Sequence, residues 1–145
     1  QSVASQMMAV PSRLAVSTVS HRILCGDFNT PRREYADGSL DTFARNHPDD
    51  FLRWDQAERR LLTGLKYWDL SDVFRTLNGY ENEEDSWFPV RRTGKPHRGH
   101  RLDHLYASVS MRAMRCEYIH GWRENGLSDH SAIEAIFDPV VVARD

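Results

Sequence analysis

The spacing of apolar residues changes along the chain, and this change limits the folds that the chain can adopt. In the middle, apolar residues recur at helical spacing, which predicts an amphipathic helix over about 54–67. Two further helical segments are predicted at 4–15 and 71–77. Shorter apolar runs predict strands at 21–25, 86–90, 101–108, 115–120 and 131–137. Strands on both sides of a helical middle predict an α/β layered domain.

Composition fits a globular protein and excludes several other classes. The 145 residues are 40% hydrophobic and 28% charged, which suits one compact domain or part of a larger one. No apolar run approaches the ~20 residues that span a bilayer, and no secretory signal is recognisable, so no membrane attachment is expected. Because the chain begins with Gln1, we expect it to have been cut from a longer one. The net charge of −2 argues against a globally basic nucleic-acid binder.

The two cysteines, Cys25 and Cys116, are too few and too far apart for a disulfide framework or a zinc cage. Cys25 lies in an apolar run and is predicted to be a buried, reduced thiol. A cytoplasmic location is expected on this basis.

The first motif with possible chemistry is Gly26-Asp27-Phe28-Asn29, which directly follows an apolar strand. In an extended backbone Asp27 and Asn29 would point the same way. A carboxylate and an amide on one face can hold magnesium or position a water molecule. The alternative is a plain turn, which these residue types also favour.

Two further motifs contain a carboxylate or a histidine beside a predicted strand. Asp103 lies within the alternating segment 101–105, and His130 directly precedes the strand at 131–137. Taken singly, Asp103 would be a surface partner of Arg101, and His130 a surface residue.

Together, in this order, the three motifs resemble the exonuclease III and AP-endonuclease branch of the endonuclease/exonuclease/phosphatase family. The helical segment Glu58–Arg75 and the run Ser86-Trp87-Phe88 also match that branch in order and approximate spacing. The resemblance covers about 21–138. It implies a metal-dependent phosphodiester hydrolase with magnesium or manganese as cofactor and DNA as substrate.

The resemblance also implies a fold. Residues 1–145 would form the carboxy-terminal half of a four-layer, DNase I-like α/β sandwich, with a mainly antiparallel sheet flanked by helices. The amino-terminal half of that family supplies an asparagine, a metal-binding glutamate and a tyrosine, and no matching segment precedes His21. We therefore expect the missing half in cis and an apolar sheet face exposed without it.

The resemblance assigns a role to each residue of the motifs. Asp27 would activate or orient the attacking water, and Asn29 would position Asp27 and the phosphate. Asp103 would hydrogen-bond the active-site histidine, His130. The implied metal ligands are Asp27, Asn29 and Asp129.

A carboxylate beside an imidazole favours its charged form, so Asp103 should raise the pKa of His130. A charged His130 could stabilise the negative charge that grows on a pentavalent phosphate. A hydrolase triad of Ser128, His130 and Asp103 is a competing interpretation, but Ser128 lacks the G-x-S-x-G context of such nucleophiles.

A basic segment, 91–101, lies between Trp87 and Asp103, and in the resembling family this region borders the DNA groove. The alternatives are a solvated charge run for the segment and a core position for Trp87. The predicted substrate-binding residues are Trp87, Arg91, Arg92, Lys95, Arg98 and His100.

Other members of the same family would act on a phosphoinositide, a sphingolipid or a small phosphodiester. A catalytically inactive binding fragment is the alternative from another class.

Overall fold

The computed structural model describes residues 21–89 and 98–138. The helix predicted at 4–15 and the basic residues Arg91, Arg92 and Lys95 lie outside this part of the chain. In chain order the elements are β1 (Ile23–Asp27), β2 (Arg33–Glu34), β3 (Leu40–Asp41), α1 (Phe51–Gly64), β4 (Ser71–Asp72), α2 (Val73–Asn78), β5 (Asp103–Ala107), β6 (Ala113–Ile119), α3 (Gly121–Glu124) and β7 (Ala132–Phe137). Short 3-10 helices occupy Phe43–Asn46, Pro48–Asp50, Leu65–Trp68 and Val109–Met111.

The strands of the described residues pair in antiparallel fashion. One sheet has the order β1-β5-β4, and β6 pairs with β7, while β2 and β3 form a short hairpin. The helices and antiparallel sheets confirm the coarse α/β prediction. The strands predicted at 101–108, 115–120 and 131–137 are confirmed with small shifts of their ends.

The hydrophobic core lies where α2 and β5 pack against the β6–β7 hairpin. Its largest members are Phe74 on α2 and Tyr118 on β6, whose rings are 5.1 Å apart between centroids. Cys116 belongs to the same core, and burial raises the pKa of its thiol to about 11. The core holds β5 and β7 together; Asp103 is the first residue of β5, and His130 lies just before β7.

The strand predicted at 21–25 is present as Ile23–Asp27, but its predicted burial is wrong, because its side chains are exposed, with Ile23 at 48%. Cys25 is accordingly exposed and not buried. The reason is that strand side chains point to the two faces of a sheet, and within the described part of the chain neither face of β1 is covered enough to bury them. At 86–90, the described residues form only isolated bridges from Trp87.

Helix α1 has the predicted period but not a buried apolar face. It begins at Phe51, and Trp54 and Leu61 on it remain 43% and 37% exposed. Within this fully described helix the one buried residue is Glu58, whose carboxylate accepts hydrogen bonds from Thr30 Oγ1 at 2.5 Å and from the Phe43 amide at 2.9 Å. The helix is therefore fixed by a buried polar contact. None of the described helices is long and apolar enough to cross a membrane.

A buried network of charges connects the segments around β5. The Arg101 guanidinium makes two hydrogen bonds to Glu34, at 2.7 and 2.9 Å, and one to Asp72 at 2.6 Å. Arg75 reaches Glu34 at 2.7 Å. His104 Nδ1 lies 3.3 Å from Asp72 Oδ2, and its Nε2 lies 2.7 Å from the Thr30 carbonyl oxygen. Such networks fix geometry because each buried charge needs its partner.

We expect Glu34→Gln to lower the free energy of unfolding by about 3–5 kcal/mol, because it removes the carboxylate that two buried guanidiniums share and leaves Arg101 with Asp72 alone. Burial raises the pKa of Glu34, but the hydrogen bonds and charges of Arg101 and Arg75 outweigh burial and lower it. The stabilisation is thus present above the unfolded-state pKa near 4.5 and is lost as the pH falls. Urea unfolding between pH 3 and 7 should therefore show a weaker acid dependence in the variant.

The matched control is Glu117→Gln, since Glu117 pairs with Arg115 at the surface. Its effect on the free energy of unfolding should stay below about 1 kcal/mol. Equal effects of the two substitutions would contradict the structural role of the network.

Gly99 permits the close approach of two chain segments. A Cβ atom there would lie 2.6 Å from Asp85 Cβ and 2.8 Å from the Trp87 carbonyl oxygen.

We expect Gly99→Ala to lower the free energy of unfolding by about 1–3 kcal/mol in urea titrations. Gly64→Ala is the control, because Gly64 has helical angles and open space around it, and should be neutral or slightly stabilising. The close approach would be disproved by identical results for both variants.

Candidate active site

The sheet register places two carboxylates directly opposite one another. Asp27 is the last residue of β1, Asp103 is the first residue of β5, and the two are antiparallel partners. Like charges in this position destabilise a sheet unless a cation or a proton offsets them. The arrangement therefore needs a positive group nearby.

His130 supplies such a group. Its Nδ1 donates a hydrogen bond to Asp103 Oδ2 at 2.7 Å, which confirms the predicted contact between these two residues. The alternative in which Asp103 pairs with Arg101 is wrong, because Arg101 is buried against Glu34 and Asp72. Asp103 is thus free of that arginine and faces the imidazole.

The electrostatic environment favours the charged imidazolium. Partial burial lowers the pKa of His130, but the hydrogen bond to Asp103 and the charges of Asp103, Asp27 and Asp129 outweigh burial and raise the pKa above its ordinary value of 6.5. A larger fraction of His130 is therefore positively charged at neutral pH than in an isolated histidine.

Ligand atoms from Asp27, Asp103 and His130 lie within 4.8 Å of one another. Magnesium and manganese bind through oxygen ligands and often use one or two carboxylates together with water and substrate phosphates. The two carboxylates supply oxygens of this kind, so the donor set fits a divalent cation. Asp129, predicted as a metal ligand, is exposed and does not belong to this group among the described residues.

Asn29 does not lie beside Asp27 in the way that the sequence predicted. Its φ of +53° is left-handed, so the backbone is not extended beyond β1, and Asp27 Oδ1 accepts the Asn29 amide at 2.8 Å. Asparagine tolerates this conformation better than most residues. The turn instead directs Asn29 to a neighbouring cleft, and its role as a metal ligand stays a prediction.

That cleft has a volume of about 360 Å³ and is open to solvent. Its lining residues are Asn29, Phe43, Trp87, Leu102 and His130. Trp87 is half-buried, with its ring centroid 6.0 Å from that of His100 and 6.3 Å from that of His130. Trp87 therefore lines a cleft beside His130 and does not belong to the hydrophobic core. Whether it contacts a substrate stays a prediction.

The other predicted substrate-binding residues within the described part of the chain are Arg98 and His100. Arg98 is half-exposed and pairs with Glu83 at 2.8 Å. His100 is held by an interaction of its Nδ1 with the Arg32 carbonyl at 2.8 Å. Trp87 forms isolated antiparallel bridges with His100 and with His130.

The sequence did not reveal the role of Ser86. This fully buried residue has a hydroxyl oxygen that accepts the amides of Leu102 and Asp103, at 2.9 and 3.1 Å. Its carbonyl accepts the Ser131 amide at 2.7 Å. Ser86 therefore ties the backbone beside Asp103 to the backbone beside His130. In the sequence, the only indication of this role was that Ser86 directly precedes Trp87 in the segment that resembles the family.

Ser128 does not take the position of a nucleophile. Its hydroxyl oxygen accepts the backbone amide of His130 at 3.0 Å, an arrangement that stabilises the turn before β7. The imidazole Nδ1 of His130 instead contacts Asp103. The geometry gives no support to the serine triad.

No family model matches this chain, and the searches of curated proteins and of solved structures likewise found no match. The support for the candidate site is therefore the geometry of its own residues.

We expect Asp103→Asn to lower the pKa of His130, because the substitution removes the hydrogen-bonded charge and leaves partial burial in place. Asp129→Asn, which removes only a more weakly acting charge, should lower the pKa less. An NMR titration of the imidazole measures both values. The difference in the free energy of unfolding between wild type and Asp103→Asn should be largest below the unfolded-state pKa of His130. It should shrink as the pH rises through the folded-state pKa of His130. An unchanged His130 pKa in Asp103→Asn would disprove the pairing.

Proposed function

We propose that the chain is part of a magnesium- or manganese-dependent phosphodiester hydrolase that acts on DNA. The observation that carries the proposal is the convergence of Asp27, Asp103 and His130, with a 2.7 Å hydrogen bond between the last two, beside an aromatic cleft. The proposal includes the four-layer sandwich of the resembling family, of which these residues would form the carboxy-terminal half.

Asp27 is the group that handles the attacking water in this mechanism. Water attacks phosphorus as its proton passes to the Asp27 carboxylate, a new P–O bond forms and the P–O ester bond breaks. Asp27 suits this role because it is exposed at the end of β1. The leaving oxygen takes its proton from solvent.

His130 stabilises the charge that develops during the attack. Its imidazolium, held by Asp103, is a fixed positive group near the phosphate oxygens, and preorganised charge of this kind lowers the barrier more than a mobile ion does. A divalent cation at Asp27 would polarise the phosphate and offset its charge. Asp103 positions His130 and sets its charge.

The preference for DNA over other phosphodiesters depends on fewer residues. The Ser86-Trp87-Phe88 segment, the helix before it and the basic segment favour DNA, whereas the other motifs are common to the whole family. Trp87 beside the cleft offers a flat surface of the type that stacks on a base or a sugar.

The test is hydrolysis of an abasic duplex, a 3′-recessed duplex and a lipid phosphodiester by the full-length protein. We expect cleavage of a DNA substrate in magnesium and none with a chelator. His130→Gln and Asp27→Asn should each lower kcat by about 10²–10³-fold, because each removes a group that acts in the transition state. Asp138→Asn, at the opposite end of β7, is the control and should retain full activity.

Cleavage of the lipid alone would favour the alternative substrate class. DNA binding without any cleavage in magnesium or manganese would favour an inactive binding protein.

A further inference from the structure

We propose that a second cleft, lined by Arg32, Arg33 and Arg98, binds a phosphate of the substrate strand beyond the one that is cleaved. The inference rests on the proposed function and deepens it, because it makes the substrate an oligonucleotide and not a mononucleotide or a lipid. Arg32 and Arg33 belong to none of the motifs that indicated a site.

The cleft has a volume of about 380 Å³ and is open to solvent. Its lining residues are Arg32, Arg33, Tyr35, Asp41, Pro89, Arg98 and His100. Three of these seven side chains are arginines, and one is acidic. A concave surface with this balance fits an anion better than a neutral or cationic group.

The arginines of the cleft are available to a ligand. Arg32 lies 4.0 Å from Asp41, and Arg98 pairs with Glu83, in exposed ion pairs of the kind that contribute little and exchange readily. Arg33 and the buried Glu34 are neighbours in β2, so their side chains point to opposite faces of the strand. Arg33 therefore faces away from the buried charge network. Its guanidinium lies 4.6 Å from the Tyr35 ring centroid, a contact that leaves its N–H groups open to an acceptor.

A continuous set of contacts connects this cleft to the candidate active site. The ring of His130 neighbours that of Trp87, and Trp87 stacks on His100. The Nδ1 atom of His100 then contacts the Arg32 carbonyl at 2.8 Å. The second cleft is thus connected to His130 through the rings of Trp87 and His100, with centroid distances of 6.3 Å from His130 to Trp87 and 6.0 Å from Trp87 to His100.

The chemistry of the ligand follows from this separation. A guanidinium binds a phosphate through parallel N–H···O hydrogen bonds, and several guanidiniums in a row suit a chain of regularly spaced phosphates. A sphingolipid or a small phosphodiester presents a single phosphate and cannot occupy both clefts at once. The second cleft would therefore select substrate length.

The experiment compares wild type with the double variant Arg32→Gln/Arg33→Gln of the full-length protein. Substrates are bis(p-nitrophenyl) phosphate, a dinucleotide and an octanucleotide, all in magnesium. Binding of a phosphorothioate octanucleotide is measured by fluorescence anisotropy in a chelator at several salt concentrations. The control is Arg112→Gln/Arg115→Gln, because these exposed arginines also pair with carboxylates but lie toward the opposite end of the β6–β7 hairpin from His130.

In wild type, kcat/KM should rise about tenfold or more from dinucleotide to octanucleotide. In the Arg32→Gln/Arg33→Gln variant most of this gain should disappear, while hydrolysis of bis(p-nitrophenyl) phosphate stays unchanged. The slope of log affinity against log salt should fall by about 0.7 for each lost contact to a single strand. The conservative double variant Arg32→Lys/Arg33→Lys should keep the wild-type salt slope but only part of the affinity, because lysine retains the charge without the paired N–H donors.

The two proposals fail separately. If oligonucleotides are cleaved and neither length dependence nor salt slope changes in the Arg32→Gln/Arg33→Gln variant, the second cleft is overturned and the proposed function stands. If nothing is cleaved but oligonucleotide binding weakens in that variant alone, the proposed function fails and the cleft stands. Equal weakening in the Arg112→Gln/Arg115→Gln control would overturn the cleft, since it would indicate a general charge effect.

Discussion

The guanidinium of Arg101 is the buried charge on which the arrangement of the described residues depends. It binds Glu34 of β2 with two hydrogen bonds and Asp72, at the start of α2, with a third. Asp72 also accepts the Arg75 amide as the N-cap of α2. An ion removed from water needs all of these partners. The network therefore sets the positions of a hairpin, a helix and the entrance to β5 relative to one another.

The position of Asp103 follows from this constraint, because it lies two residues beyond Arg101. Ser86 accepts its amide, and the Tyr118 hydroxyl donates to its carbonyl at 2.5 Å, so its backbone is held on both sides. Its carboxylate is left to face His130 and the opposing Asp27. Two like charges at one register position cost stability, and proteins retain such pairs where the charge has a use. The strongly fixed backbone makes this local cost tolerable.

The sequence predicted elements whose signal is local and missed features that depend on contacts between distant segments. Periodicity identified α1 and four of the strands, because spacing follows from the geometry of each element alone. It placed Cys25 in a buried strand, since an apolar run does not reveal whether another layer covers it. The spacing of Asp27 and Asn29 predicted an extended backbone at Asn29. The structure has a left-handed turn there, fixed by the hydrogen bond from the Asn29 amide to Asp27. The order of the motifs predicted that Asp103 and His130 lie close together, but no sequence pattern indicated that Ser86 connects the backbones beside them.

The arginines explain why the net charge of the chain does not describe the charge at each cleft. Arg75 and Arg101 are buried, and nearby buried carboxylates compensate their charges, so they add little to the field at the surface. Arg32 and Arg98 keep nearly half of each side chain exposed, at 47% and 46%, and their ion pairs are weak. A formal charge of −2 counts all of these alike. Because compensated charges cancel over a few ångströms while exposed ones act across a Debye length of about 8 Å, the local balance in each cleft decides which ligands can bind.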